Sequence, residues 1–382
     1  MRAIHLFANW KWTGPAEPAV NLAAGLRDRG VDLDFACGRA VSGLENEVEG
    51  HLAIRDIEAW TELRLGKHRH PLFDPMDRRA LRKRLARRSP DILHAHLPND
   101  HRIGWGAARG MKKGPKVVRS LYDGETPKVD KDLRHLLGPG CDAVISVSRT
   151  VAAELPERAG IPPGKVFFVE GAVDLERFEA RGGVSPMAKE YGIGRDDFVV
   201  GIVARMQRHR RFEDFFDAVA EVAGKVPNLK VLLVGRGTFM DEVAVKPAAR
   251  KELSGKVIFT GYRRGAEYVE TLRCMHAKVY LTPGSDGSCR AVREAMAMGV
   301  PIVAARRGML AEIVEDGQSG FVVDKGSAPL AEPLIRMAGD DALRKRLARG
   351  ARDAAKARFA LPAQAERVHA IYDWLLEGGE RP

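Results

Sequence analysis

The feature that most constrains this chain is a rhythm. Short apolar, β-branched runs recur along it, and each leaves room for a helix before the next begins. IHLFA (4–8), DLDFAC (32–37), DILHAHL (91–97), KVVRSL (116–121), DAVISVS (142–148) and KVFFVEG (165–171) form a first set. FVVGIVA (198–204), KVLLVG (230–235), KVIFTG (256–261), KVYLT (278–282), PIVAA (301–305) and GFVV (320–323) form a second. Runs of this length and composition read as strands. The segments between them carry a helical period instead, with Val20, Leu22, Ala23 and Leu26 on one stripe and Phe212, Phe215, Phe216, Val219 and Val222 on another. Strands that alternate with helices are joined by right-handed crossovers and lie parallel. The sequence therefore predicts an α/β protein with two doubly wound, Rossmann-like domains rather than one giant sheet, which suits a length of 382 residues. Between the sets, residues 172–197 hold Gly182, Gly183, Pro186, Gly192 and Gly194 with few strand formers, the expected connection.

Composition narrows the class. With 45% hydrophobic and 30% charged residues the chain has material for packed cores and is expected to be globular. No run of about 18 uncharged apolar residues suggests a membrane span, and Met1 to Ala8 reads as a buried strand rather than a signal peptide. Cys37, Cys141, Cys274 and Cys289 are widely spaced and form no C-x-x-C pair, so a disulfide framework or a cysteine zinc site is not expected and a reducing cytoplasm fits best. A net charge of +11 attracts anions without choosing among nucleic acid, phosphorylated metabolites and acidic lipids. Its densest cluster, Arg78 to Arg88, places Leu81 and Leu85 four apart among bases, as on the outer face of a packed helix that is solvated or docks on a membrane surface. No aromatic residue interleaves with these bases and no nucleic-acid motif accompanies them.

Ligands of doubly wound sheets bind outside the carboxyl ends of the strands, so the residues just after each strand are the ones to inspect. Arg205 follows one strand, and Arg210 and Arg211 precede the next helix, a basic seat suited to a diphosphate. Further on, TPGSDGSCRAVREAMAMGVPIVA runs from a strand through a glycine-containing turn into a helix and out to another strand. Gly284 and Gly287 allow close backbone approach, and amides near Ser288, Cys289 and Arg290 stand at the expected helix start. Asp286 sits in the loop and Glu294 inside the helix, where a carboxylate can accept hydrogen bonds from sugar hydroxyls.

This stretch resembles the donor-binding signature of retaining glycosyltransferases of family 4, which have the GT-B fold, two Rossmann-like domains facing a central cleft. EAMAMGVPIVA matches closely, with Glu294 as the second Glu of the signature and Asp286 in place of the first. The family's basic pair falls on Arg205 and Arg210, the latter an Arg where Lys is usual. VEGAVDLERF (169–178) and AEIVEDGQSGFVV (311–323) resemble two further family motifs, so the likeness covers nearly the whole chain. It implies an N-terminal acceptor domain over 1–175, a connection over 176–197, a nucleotide-sugar donor domain over 198–361, and a terminal helix over 362–382 crossing back to the first domain. It implies donor contacts from Gly14, Tyr262, Gly287, Ser288, Cys289 and Arg290 beside Arg205, Arg210, Asp286 and Glu294, with Glu17 near Gly14 on the acceptor side.

Where many members carry a His that meets the transferred sugar, this chain has Tyr122 followed by Asp123, and His96 with Asp100 and His101 are substitute candidates. A metal site from His94, His96 and His101 has no established carboxylate partner, and Asp32 and Asp34 read as a strand-edge acidic pair. The resemblance implies no metal and no cofactor beyond a nucleoside diphosphate sugar as co-substrate. It implies transfer of a sugar to an acceptor hydroxyl, with a lipopolysaccharide or other cell-envelope saccharide as the expected acceptor and a cytoplasmic location, peripheral on the membrane's inner face. A non-catalytic nucleotide-sugar-binding subunit, a GT-B nucleotide-sugar epimerase and, last, a nucleic-acid-binding protein stay as alternatives.

Overall fold

The computed structural model describes residues 1–282, 289–324, 326 and 328–382. The chain divides into two compact units, Met1–Ala172 with Leu361–Pro382, and Val173–Ala360. In the first, strands β1 (Arg2–Phe7), β2 (Asp32–Cys37), β3 (Ala59–Trp60), β4 (Ile92–Ala95), β5 (Lys116–Leu121), β6 (Ala143–Ser146) and β7 (Val166–Phe168) form one sheet in the order β3-β2-β1-β4-β5-β6-β7. In the second, β8 (Phe198–Val203), β9 (Leu229–Val234), β10 (Val257–Gly261), β11 (Ala277–Tyr280), β12 (Ile302–Ala305) and β13 (Gly320–Val323) are ordered β10-β9-β8-β11-β12-β13. All these pairings are parallel. Both sheets thus reverse direction once, between β1 and β4 and between β8 and β11, and each reversal splays the flanking loops apart into a crevice at the strands' carboxyl ends.

Strand period sorts the first unit's side chains into two layers. Ile4, Leu6, Leu93, Val117 and Leu121 pack on one face with Leu81, Leu85 and Ile103 from the helices Phe73–Arg88 and Pro98–Ala108. Ala3, Ile92, Val118 and Ile145 face the other way, against Leu22 and Leu26 of the helix Ala16–Asp28 and Val368, Ile371 and Tyr372 of the C-terminal helix Leu361–Glu377. Gly25 is where those two helices touch, since a Cβ there would stand 2.8 Å from the Ala365 Cβ. In the second unit Phe212, Phe215, Phe216, Val219 and Val222 of the helix Phe212–Lys225 form the expected stripe against Val200, Ile202, Val231 and Leu233.

Asp32 and Asp34 are an ion-paired acidic edge: Arg88 reaches both, at 3.0 and 2.9 Å, and Arg2 and Arg84 take one each. Among the described residues no helix is long and apolar enough to cross a membrane.

Candidate functional site

In the second unit Arg205 and Arg210 follow β8 and Glu294 lies on the helix after β11, the two strands between which the order reverses. Beyond its last ladder pair β8 keeps its neighbour: Ala204 N donates to Val234 O at 3.1 Å and Met206 N to Arg236 O at 3.2 Å. This zipping requires glycine opposite, because a Cβ at Gly235 would lie 2.2 Å from Ala204 O and one at Gly237 2.2 Å from Met206 O. Arg205, held between two anchored residues, is exposed and makes no ion pair among the described residues. The next turn sorts its bases. Arg208 forms a two-pronged pair with Glu242 and Arg211 another with Asp214, so neither charge is left for a ligand. Arg210 is buried, and its Nη1 donates to Thr282 O at 3.1 Å, tying the segment after β8 to the end of β11 across the reversal.

Glu294 lies on the helix Arg290–Ala297 that follows β11, buried, with Tyr268 Oη donating to its Oε2 at 2.7 Å and Arg290 Nε 3.2 Å from its Oε1. Burial, and then the adjoining Glu294, push the Tyr268 phenol well above its ordinary pKa, so it is a hydrogen-bond donor throughout the working range. Cys289, at the cap of this helix, is buried in a left-handed conformation at φ 50°, a strained one for a non-glycine residue. Tyr262 follows β10 and is 56% exposed, with the guanidinium groups of Arg236 and Arg264 5.1 and 5.0 Å from its ring. Asp286, Gly287 and Ser288, with Gly284, lie outside the described residues.

In the first unit the reversal between β1 and β4 is pinned by Asp100. Its carboxylate accepts from Ala8 N at 2.8 Å and Leu97 N at 2.8 and 3.0 Å, one group from each side of the crevice, and Arg119 stands 3.6 Å away. Burial pushes this carboxyl up to about 7 against the pull of Arg119 and the backbone N–H groups. Asp100 thus builds the crevice floor from a fully buried position. His101 points elsewhere, donating from Nε2 to Gly140 O at 3.1 Å. Tyr122 is half-buried and Asp123 exposed just beyond β5. Gly14 lies in the turn that opens the helix Ala16–Asp28, and Glu17 is buried in that helix's first turn.

His96 is buried, so it reaches the strand edge only through Tyr122, whose Oη is 2.7 Å from its Nδ1. Beside it the structure assembles His5, His94 and His96 rather than the trio with His101, ring nitrogens lying within 4.8 Å of one another. A metal could span that spacing, but all six ring nitrogens are already engaged by Tyr122, Tyr372, Ser120 or each other. Burial holds His5 down to about 3 and His94 and His96 well below their usual value, so all three are neutral. His5, Tyr372 and Tyr268 are residues that sequence reasoning missed: His5 alone carried a signal, the strand period it shares with the H-A-H of β4.

Two parallel Rossmann-type units, with basic and acidic groups at the strand reversal of the second, define a sugar-nucleotide type of architecture, and comparison with known proteins gives it a family. The profile described as Glycosyltransferase Family 4 matches residues 14–177, and that described as Glycosyl transferases group 1 matches residues 186–354. The matches fall on the two units in turn, and the chain belongs to these glycosyltransferases, with the GT-B fold. It is similar to N-acetyl-alpha-D-glucosaminyl L-malate synthase of Bacillus anthracis, 24% identical over 370 residues that cover 94% of this chain and 93% of that one. It is similar to phosphatidyl-myo-inositol mannosyltransferase of Mycobacterium tuberculosis, 25% identical over 320 residues, 81% of this chain and 80% of that one. The crystal structure of Anabaena Alr3699/HepE in complex with UDP has the same fold, with TM-score 0.79 at 20% identity over 97% of this chain and 98% of that one.

Proposed function

We propose that the chain transfers a glycosyl group from a nucleoside diphosphate sugar to an acceptor hydroxyl, with retention at the anomeric carbon. The observation that carries this reading is that exposed Arg205 and buried Arg210 follow β8, Arg210 donating to the Thr282 carbonyl beyond the adjacent strand β11, while Glu294 lies on the helix after β11. Arg205 and Arg210 hold the diphosphate, Glu294 accepts from the ribose hydroxyls, and Tyr262 and the segment 286–290 complete the donor site. As the bond between the anomeric carbon and the diphosphate oxygen breaks, negative charge grows on the leaving group, where the two guanidinium groups stabilise it. The acceptor oxygen bonds to the anomeric carbon on the same face, and its proton passes to the departing phosphate oxygen, so no separate base is required. Tyr122 and Asp123, with Glu17 as a further acceptor-side group, face the acceptor and the reacting sugar. The UDP bound to the Anabaena protein supports this donor class, and the mannosyltransferase name of the Mycobacterium tuberculosis relative supports transfer of a sugar.

Heating the protein with UDP, GDP and ADP sugars in turn identifies the donor, because a ligand at 100 times its Kd stabilises the folded state by about 2.7 kcal/mol. Arg205→Ala is expected to lower turnover by about 10² to 10³. Full donor-dependent turnover in that variant would refute the diphosphate seat.

The acceptor in this reading is a saccharide or lipid-linked glycan of the cell envelope, met at the inner membrane surface. The helix Phe73–Arg88 supports it: Met76, Arg79, Lys83 and Arg87 are exposed at spacings of three and four, and Leu72 and Met76 are 69% and 63% exposed. Sedimentation with vesicles containing anionic lipid is expected to bring the protein down, and replacing Arg79, Lys83 and Arg87 by Glu to leave it in the supernatant. Equal sedimentation of both forms would remove the membrane from this proposal.

A further inference from the structure

Behind Tyr122, six side chains of the first unit are joined in series. Tyr122 Oη is 2.7 Å from His96 Nδ1, His96 Nε2 is 3.0 Å from His5 Nδ1, and His5 Nε2 is 3.2 Å from Tyr372 Oη. Tyr372 Oη in turn bonds His94 Nδ1 at 2.5 Å, and His94 Nε2 lies 2.8 Å from Ser120 Oγ. The fold builds this series from simple parts. Register places His5 directly opposite His94, the two-residue period of β4 puts His96 on the same face, and the C-terminal helix lays Tyr372 across both strands.

With each imidazole neutral, every one of the six groups owns one transferable hydrogen, and five bonds need one donor each. Two donors, or two lone pairs, facing each other at a buried bond would forfeit it and leave both groups desolvated without a partner. The hydrogens therefore align together, all running from Tyr122 toward Ser120 or all the other way, since the remaining arrangement, with both His5 and His94 donating to Tyr372 Oη, would leave that buried phenol hydrogen without an acceptor. In the first order Tyr122 gives its hydrogen to His96 and shows the crevice lone pairs. In the second, His96 Nδ1–H donates to the phenol oxygen and the phenol hydrogen turns to a neighbour, either a ligand oxygen or Ser120, whose hydroxyl acts on the same phenol.

We propose that His96, His5, Tyr372, His94 and Ser120 are positioning residues for Tyr122, a buried relay whose hydrogen order decides whether that hydroxyl donates to or accepts from a hydroxyl of the sugar substrate. The relay stands on the hydrogen-bond geometry; its use rests on the reading that Tyr122 faces the substrate.

Histidine-labelled protein observed by ¹⁵N NMR tests both parts. A buried orphan N–H is avoided more strictly than an orphan lone pair, so Tyr122→Phe is expected to fix His96 and His5 as Nε2–H tautomers. Tyr372→Phe keeps the ring and is expected to fix both as Nδ1–H tautomers. His5 does not touch Tyr122 and His96 does not touch Tyr372 in these bonds, so opposite tautomers in the two variants require transmission through the series. The same His5 tautomer in both variants would overturn the relay, and if Tyr372→Phe does not fold, a His5 that is not held as the Nε2–H tautomer in Tyr122→Phe would do so alone. In the wild type, a nucleotide sugar that stabilises the protein should shift the His5 and His94 signals, the matching nucleoside diphosphate should not, and Tyr122→Phe should abolish the response. Thermal stabilisation without any such shift overturns the use of the relay. Transmission between the variants without stabilisation by any nucleotide sugar upholds the relay and overturns the donor reading instead.

Discussion

In the proposed donor site Glu294 and Tyr268 divide the labour of one contact. A carboxylate offers about four lone-pair positions, of which Tyr268 takes one and Arg290 faces another, which leaves room for the two vicinal hydroxyls of a ribose. Tyr268 fixes the direction in which those positions point, because its phenol stays protonated and its ring is set edge-on to Phe178 at 6.1 Å. Tyr268→Phe retains the ring and removes the one hydrogen bond, a change of about 1 kcal/mol. Donor affinity measured by calorimetry is expected to fall about fivefold, with the unfolding midpoint of the free protein changed much less than by Tyr268→Ala. Glu294 was legible in the chain because its motif is a run of contiguous residues. Tyr268 was not, because within EYVETLR it occupies an ordinary helical position, and only the folded sheet shows which carboxylate lies above its hydroxyl.

The strands were legible because burial on both faces leaves so few residue types to choose from, and each run listed from the second set coincides with a strand of the second sheet. The two-residue β3 was not, since Ala59–Trp60 is too short to carry a period. Glycines whose need arises from a neighbouring element are equally silent in one dimension. Gly235 and Gly237 make room for the carbonyls of Ala204 and Met206, so the loop that carries Arg205 owes its geometry to glycines 31 positions beyond the carbonyls they face. Gly25 is the helical counterpart. On propensity alone Gly25→Ala would gain about 1 kcal/mol in the helix Ala16–Asp28. The new methyl would instead meet Ala365 at 2.8 Å, and overpacking of this kind costs about 1–3 kcal/mol. The urea midpoint is therefore expected to fall, and adding Ala365→Gly to return part of the loss. A midpoint that rises in the single variant would mean that the C-terminal helix can shift away at no cost.

Across the whole molecule, acid-sensitive groups are unevenly shared. His5, His94, His96 and His101 of the first unit are buried, with His5 and His101 held down to about 3 and the other two well below the usual value. In the second unit His276 has its pKa lowered, by burial first. The unfolded chain protonates such histidines near pH 6.5 while the folded chain does not, so the unfolded state binds more protons and stability falls as the pH drops below 6.5. Asp100, pushed up to about 7, works in the opposite sense because its folded form takes up a proton first. Asp77 and Asp123 are raised by burial too, so four histidines less one to three carboxyls leave about one to three protons, which is about 1–4 kcal/mol of the first unit's stability per pH unit. Set against the 5–15 kcal/mol typical of a domain, that unit should unfold within a few pH units of neutrality. The five tryptophans, at 10, 12, 60, 105 and 374, all belong to it, whereas helices and strands of both units contribute to the far-ultraviolet circular dichroism. On acid titration the tryptophan emission is expected to shift first, while a large part of the dichroism persists to lower pH. Coincident curves would mean that the two units unfold together and that the buried histidines do not set the order in which they come apart.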